Sequence, residues 1–214
     1  MGESEHQTQR RLPQPRTGRL VVLEGPNEVG KTTISQALAH WLNERGTRSE
    51  VHSFPGRSPG SLGLHVHRLH HTPREFDVQG VSPTALQALH VAAHLDAIES
   101  IILPKLGSGI NVILDRYWWS TVAYGTAAGV SKRLLESLIS TELIAWGGQV
   151  PTLVVVLDRD TSVLRVEQTS FIGAVREQYR NLVQSENRRY PTYIVNNDGT
   201  VENTTAKIAS LLEA

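Results

Sequence analysis

The segment Gly25-Pro26-Asn27-Glu28-Val29-Gly30-Lys31-Thr32-Thr33 carries the clearest chemistry in the chain, with a glycine, four intervening residues, a second glycine, a lysine and a threonine. Glycines at that spacing let the backbone curl until successive N–H groups converge on a phosphate, and the positive end of a following helix reinforces them. Lys31 adds a compact charge for the β and γ phosphates of a nucleotide, and the Thr32 hydroxyl is a hard oxygen suited to Mg²⁺. The segment therefore predicts ATP and Mg²⁺ as cofactors, bound along Gly25 to Thr33.

A second group stands at Asp115-Arg116, directly after the apolar run Asn111-Val112-Ile113-Leu114. A carboxylate at the C-terminal edge of a parallel sheet lies beside a phosphate loop, where it holds a magnesium-bound water. Thr32 and Asp115 are thus the expected metal shell. The Arg116 guanidinium fits phosphate oxygens in a fork, although an Asp-Arg pair equally suits a helix start followed by an exposed arginine. Lys31, Asp115 and Arg116 are the expected catalytic residues.

Histidines supply a third group. His90 and His94 are four apart, hence on one helix face. They suit an acceptor pocket, ordinary packing against a sheet, or a metal site lacking a third ligand. His65, His67, His70 and His71 come without cysteine or paired carboxylates and read as a solvated loop or helix. Trp118 and Trp119 either line a cleft or pack.

The elements needed to position these residues are legible in the apolar pattern. Strands are predicted at Leu20 to Glu24, Glu50 to Phe54, Ile110 to Leu114, Leu153 to Leu157 and Thr192 to Val195. Helices lie between them, one on Ile34, Leu38, Trp41 and Leu42, another on Leu86, Leu89, Ala93, Ile98 and Ile101, with Pro104 expected to stop the second. Alternating strands and helices imply an α/β fold: a three-layer α/β/α P-loop architecture on a five-stranded, mostly parallel sheet. Residues 1–18 are polar and contain two prolines, so they read as a disordered tail ahead of one domain over 19–214.

Composition narrows the partners. With 21 basic and 21 acidic side chains, no overall field draws the protein to nucleic acid or an anionic membrane. The absence of cysteine excludes disulfides, thiolate metal sites and cysteine nucleophiles, and favours a reducing, cytoplasmic location. No apolar run approaches membrane-spanning length by eye, and His6 stands where a myristoylation signal wants Ser or Thr. A small-molecule substrate is the expected partner.

Taken in order, Leu23 to Thr33, Phe54-Pro55-Gly56-Arg57-Ser58, Asp115-Arg116-Tyr117 with Ser120, Ala123 and Tyr124, and Pro151 to Asp158 resemble the thymidylate kinases, over nearly all of residues 19–213. The resemblance implies ATP-dependent phosphorylation of dTMP to dTDP. It also implies an acceptor site built from Asn27, Phe54, Arg57, His90, His94, Arg116 and Tyr124, adenine contacts from Arg165 and Asn197, and a homodimer.

Four features depart from that family. Asn27 replaces a usual carboxylate, and Glu28 follows it where one branch has an arginine. The expected lid, Val166 to Val175, has no basic residue before Arg176. His90 and His94 replace an aromatic residue and an arginine. A P-loop kinase of a nucleoside or other small acceptor, and an ATP-binding module with little catalysis, are the alternatives.

Overall fold

The computed structural model of the chain describes residues 17–159 and 166–213. Most of the expected tail and Arg165, the expected adenine neighbour, lie outside the described residues. In chain order the elements are β1 (Leu20–Glu24), α1 (Lys31–Glu44), β2 (Ser49–Ser53), α2 (Leu62–His71), a 3₁₀ turn (Pro73–Phe76), α3 (Pro83–Ala97), a π turn (Ile98–Ile102) and α4 (Leu103–Gly107). They continue with β3 (Asn111–Asp115), α5 (Trp118–Ala127), α6 (Lys132–Ala145), β4 (Leu153–Asp158), α7 (Val166–Glu186), β5 (Thr192–Asn196) and α8 (Val201–Glu213).

The five strands form one sheet in the order β2-β3-β1-β4-β5, and every pairing is parallel. Alternation along each strand divides the core between two faces. Leu20, Val22, Val112, Leu114, Val154 and Val156 join Ile98, Ile102, Trp119 and Trp146 on one side. Val21, Leu23, Ile113, Leu153, Val155 and Leu157 join Ile34, Leu38 and Ile208 on the other. Strands covered on both faces read as continuous apolar runs, which is why β1, β3 and β4 were plain in the sequence. Trp118 and Trp119 resolve as packing residues, both buried in the first cluster.

The expected helix stop at Pro104 needs correction. Pro104 cannot donate a backbone hydrogen bond, yet the helical path runs on through the π turn into α4. The wider π turn accommodates the missing donor and the ring's bulk, so the helical path continues past the proline. The resulting run, Pro83–Gly107, has 25 residues and contains an 18-residue stretch of mean hydropathy 1.2, long and apolar enough to span a bilayer, contrary to the reading of the sequence by eye. Here it is a helix of the domain: it contributes Gln87, His90 and His94 to the central cleft and Ile98 and Ile102 to the core.

Candidate active site

All the parallel strands point their C-terminal ends the same way, so β1 and β3 deliver the phosphate loop and Asp115-Arg116 to one edge of the sheet. Gly25 leaves β1 with φ +133°, and a Cβ there would sit 2.1 Å from the Leu157 carbonyl oxygen. Gly30 has φ +90°, and its Cβ would meet the Asn197 amide at 2.5 Å. No side chain fits either position without moving the loop. Gly30 also precedes α1 without a side-chain cap, so the first N–H groups of the helix stand ready for an anion. A polyphosphate fits this cradle.

Expected at the edge of the base, Asn197 is instead buried behind the loop. Its Nδ2 donates to the Val29 carbonyl at 2.8 Å and its Oδ1 accepts from Thr204 Oγ1 at 2.8 Å. With both amide atoms engaged, Asn197 ties the loop to the start of α8. Val29 is equally inward, part of the apolar cluster around Leu38.

Lys31 donates from Nζ to the Pro26 carbonyl at 2.5 Å. Burial first, and then the Arg116 charge, push its ammonium down to about 7, while Asp115 and Glu24 work the other way. An incoming polyphosphate would supply the negative charge that this buried ammonium lacks. Thr32 Oγ1 donates to Asp115 Oδ2 at 2.7 Å, so a hydroxyl and a carboxylate meet beside the cradle. Two hard oxygens there fit Mg²⁺, which takes few protein ligands and completes its shell with water and phosphate.

Arg116 adopts φ +76°, an uncommon conformation for a side chain of its size and one found at functional sites. Its Nη1 donates to Ser120 Oγ at 2.9 Å and its Nη2 to Asn27 Oδ1 at 2.5 Å. Tyr124 Oη also donates to Asn27 Oδ1, at 3.1 Å. The amide at position 27 thereby joins the phosphate loop to the Asp-Arg turn and to α5. Burial alone would favour a neutral guanidinium, but Tyr179, Tyr124, Glu24 and Asp115 together hold Arg116 charged.

Underneath lies Glu24, which sequence reasoning quoted only as part of a motif. Fully buried, it accepts from the Tyr117 and Ser120 backbone N–H groups at 2.7 and 3.0 Å, and from Ser120 Oγ and Tyr179 Oη at 2.7 and 2.9 Å. Burial raises its carboxyl above the usual range, against the pull of Arg116 and these donors. Glu24 is the anchor of the turn that aims Arg116.

The loop and the turn open into a cleft of about 570 Å³. Lys31, Thr32, Thr33, Glu28 and Asp115 line one part, and Phe54, Arg57, Gln87, His90, His94 and Tyr124 line the other. Three of the α2 histidines, His67, His70 and His71, also line it, so the solvated reading holds only for the element type, a helix. Their rings run in contact: His67 to His71 at 4.4 Å, His71 to His70 at 4.5 Å, and His70 edge-on to His90 at 5.4 Å. The i, i+3 and i, i+4 spacings on both α2 and α3 were the available signal for this wall. Among the described residues no group of three His, Cys, Asp or Glu side chains is placed to hold a metal ion.

His90 is held neutral, its imidazole pushed down to about 3 chiefly by burial and then by His94, His70, Arg116 and His67. His67 and His70 move in the same direction for the same first cause. In the unfolded chain these rings bind protons near the ordinary value of 6.5, so below that pH the unfolded state carries protons that the folded state refuses. Stability therefore falls as pH drops from about 6.5 toward 3, by up to about 1.4 kcal/mol per pH unit for a single such ring. Urea unfolding at pH 7.5 and 5.5 should show the loss, and His90→Phe should reduce the slope.

The expected lid is the first half of α7, a helix from Val166. Val175 is in the core, and Phe171 packs toward the Tyr124 ring at 6.2 Å. Arg176, the first basic residue after position 165, bonds through Nε to Asp158 Oδ1 at 2.8 Å and so joins α7 to the end of β4.

The family model for Thymidylate kinase matches residues 23–208, spanning every strand from the end of β1 onward and every site residue above. The chain belongs to the thymidylate kinase family. Among curated relatives, the thymidylate kinase of Clavibacter sepedonicus is 31% identical over 195 residues, covering 81% of this chain and 85% of that one. The thymidylate kinase of Nostoc punctiforme is 30% identical over 199 residues, covering 86% and 89%. The crystal structure of the Ehrlichia chaffeensis thymidylate kinase superposes with a TM-score of 0.74 at 20% identity, covering 92% of this chain and 99% of that one. That structure shows the same fold.

Proposed function

We propose that this chain transfers the γ-phosphoryl group of ATP to the 5′-phosphate of a pyrimidine deoxynucleoside monophosphate, dTMP by its family. The observation that carries the proposal is one cleft holding a phosphate loop at one end and, at the other, Arg57, Tyr124 and the Asn27-Arg116 pair. Donor and acceptor phosphates meet between Lys31 and Arg116. No covalent intermediate is required, because this chemistry rests on positioning and on neutralising charge.

Lys31 and the loop N–H groups hold the donor phosphates. Arg116, fixed by Asn27 and Ser120, faces the region between donor and acceptor. Thr32 and Asp115 would hold Mg²⁺, whose chemistry is to screen the phosphate oxygens and fix their orientation. Arg57 addresses the acceptor phosphate, and Phe54, His90 and His94 its ring. A cytoplasmic location and a homodimeric state belong to this reading by family resemblance.

A panel of acceptors tests it. ADP release with ATP-Mg²⁺ should respond to dTMP and much less to thymidine. Activity on the nucleoside alone would favour a nucleoside kinase, a reading suggested by the replacement of a carboxylate with Asn27 and by the histidines of α3.

A further inference from the structure

Glu142 has no part in the phosphate chemistry, yet it is an acidic side chain with 0% exposure in the last turn of α6. Its Oε2 lies 2.9 Å from His94 Nδ1, and its Oε1 has no hydrogen-bond partner. Removing a carboxylate from water costs several kcal/mol, and replacing a whole buried charged pair by well-packed apolar residues is often neutral or stabilising. Packing alone therefore does not call for the Glu142–His94 pair.

Among the described residues its side chain hydrogen-bonds to one residue, and that residue reaches the cleft. His94 is 3% exposed, lines the cleft, and stacks face to face on Phe54 with ring centroids 4.1 Å apart and planes 12° apart. Phe54 fixes the plane of the imidazole. The Glu142 carboxylate fixes its rotation about that plane and assigns the Nδ1 position as a donor, because a carboxylate can only accept. Nε2 is then the ring nitrogen left for the cleft, and no described residue bonds to it.

We propose that Glu142 is a positioning residue for acceptor recognition, acting through His94 so that Nε2 meets the polar edge of the acceptor ring. The inference rests on the acceptor being bound in this half of the cleft. Loss of the carboxylate would free the imidazole to rotate or change tautomer, weakening acceptor binding without touching the donor site. Glutamine retains a carbonyl oxygen for Nδ1–H, whereas leucine retains nothing.

The test is a double-mutant cycle on the full-length enzyme with dTMP, measuring steady-state rates and dTMP affinity by calorimetry. Glu142→Leu should raise the KM for dTMP about tenfold and leave the KM for ATP and kcat within about twofold, with a lowered Tm because the buried His94 Nδ1–H loses its acceptor. Glu142→Gln should restore most of the lost affinity, and in a His94→Ala background Glu142→Leu should have no further effect on KM. An unchanged dTMP KM in Glu142→Leu, a parallel loss of kcat and ATP affinity, or effects that add independently of His94 would each overturn the inference. Wild-type protein that neither binds nor phosphorylates dTMP would instead overturn the reading of the acceptor site, and the inference with it.

Discussion

Replacing Lys31 with methionine will lower turnover by about a thousandfold, the scale expected when one charged donor to a developing negative charge is removed. Methionine fills a similar volume, so the loss isolates the ammonium. The same substitution should leave stability within about 1 kcal/mol of the parent, because Lys31 is a buried cation whose charge the empty fold already disfavours. Denaturant unfolding beside steady-state kinetics separates the two quantities. Turnover within tenfold of the parent would remove Lys31 from the chemistry.

The opposite pattern is expected at Glu24. Four hydrogen bonds end on its buried carboxylate, from two backbone N–H groups and two hydroxyls, those from Tyr117 and Tyr179 fully buried and those from Ser120 partly so. Glu24→Leu leaves these donors without an acceptor and should cost about 3 to 5 kcal/mol, the range found when one member of a buried charged network is removed. Glu24→Gln should be milder. Its carbonyl oxygen can still accept from Tyr117 and Ser120 N–H, which share Oε1, while the Ser120 and Tyr179 hydroxyls can turn to accept from its amide. Both variants should lose activity beyond their loss of stability, since Ser120 holds Arg116. Urea midpoints ordered parent, Gln, Leu would fit; equal midpoints would deny Glu24 its anchoring role.

Much of this site was readable from residue order. The phosphate loop announces itself because its two glycines have no substitute where the backbone passes 2.1 Å from where a Cβ would place itself against Leu157. Asp115 was readable because a parallel strand buried on both faces is apolar until its last residue. The α2 histidines were not assigned to the cleft, since the approach of α2 to α3 is a tertiary fact that neither helix encodes alone. Glu142 was invisible for the same reason: its partner lies 48 positions away. Asn197 was misplaced because an amide beside a nucleotide loop serves equally well as ligand or brace, and only the contact with Val29 decides between them. Pro104 misled because a π turn is not signalled by residue type.

Transfer of label from [γ-³²P]ATP tests the central claim most directly. Incubated with ATP-Mg²⁺ and dTMP, the protein should form dTDP labelled in its β-phosphate, with label absent when dTMP is omitted or when Lys31→Met replaces the parent. Labelled inorganic phosphate alone, or labelled dTMP formed from thymidine in preference to dTDP, would contradict the account.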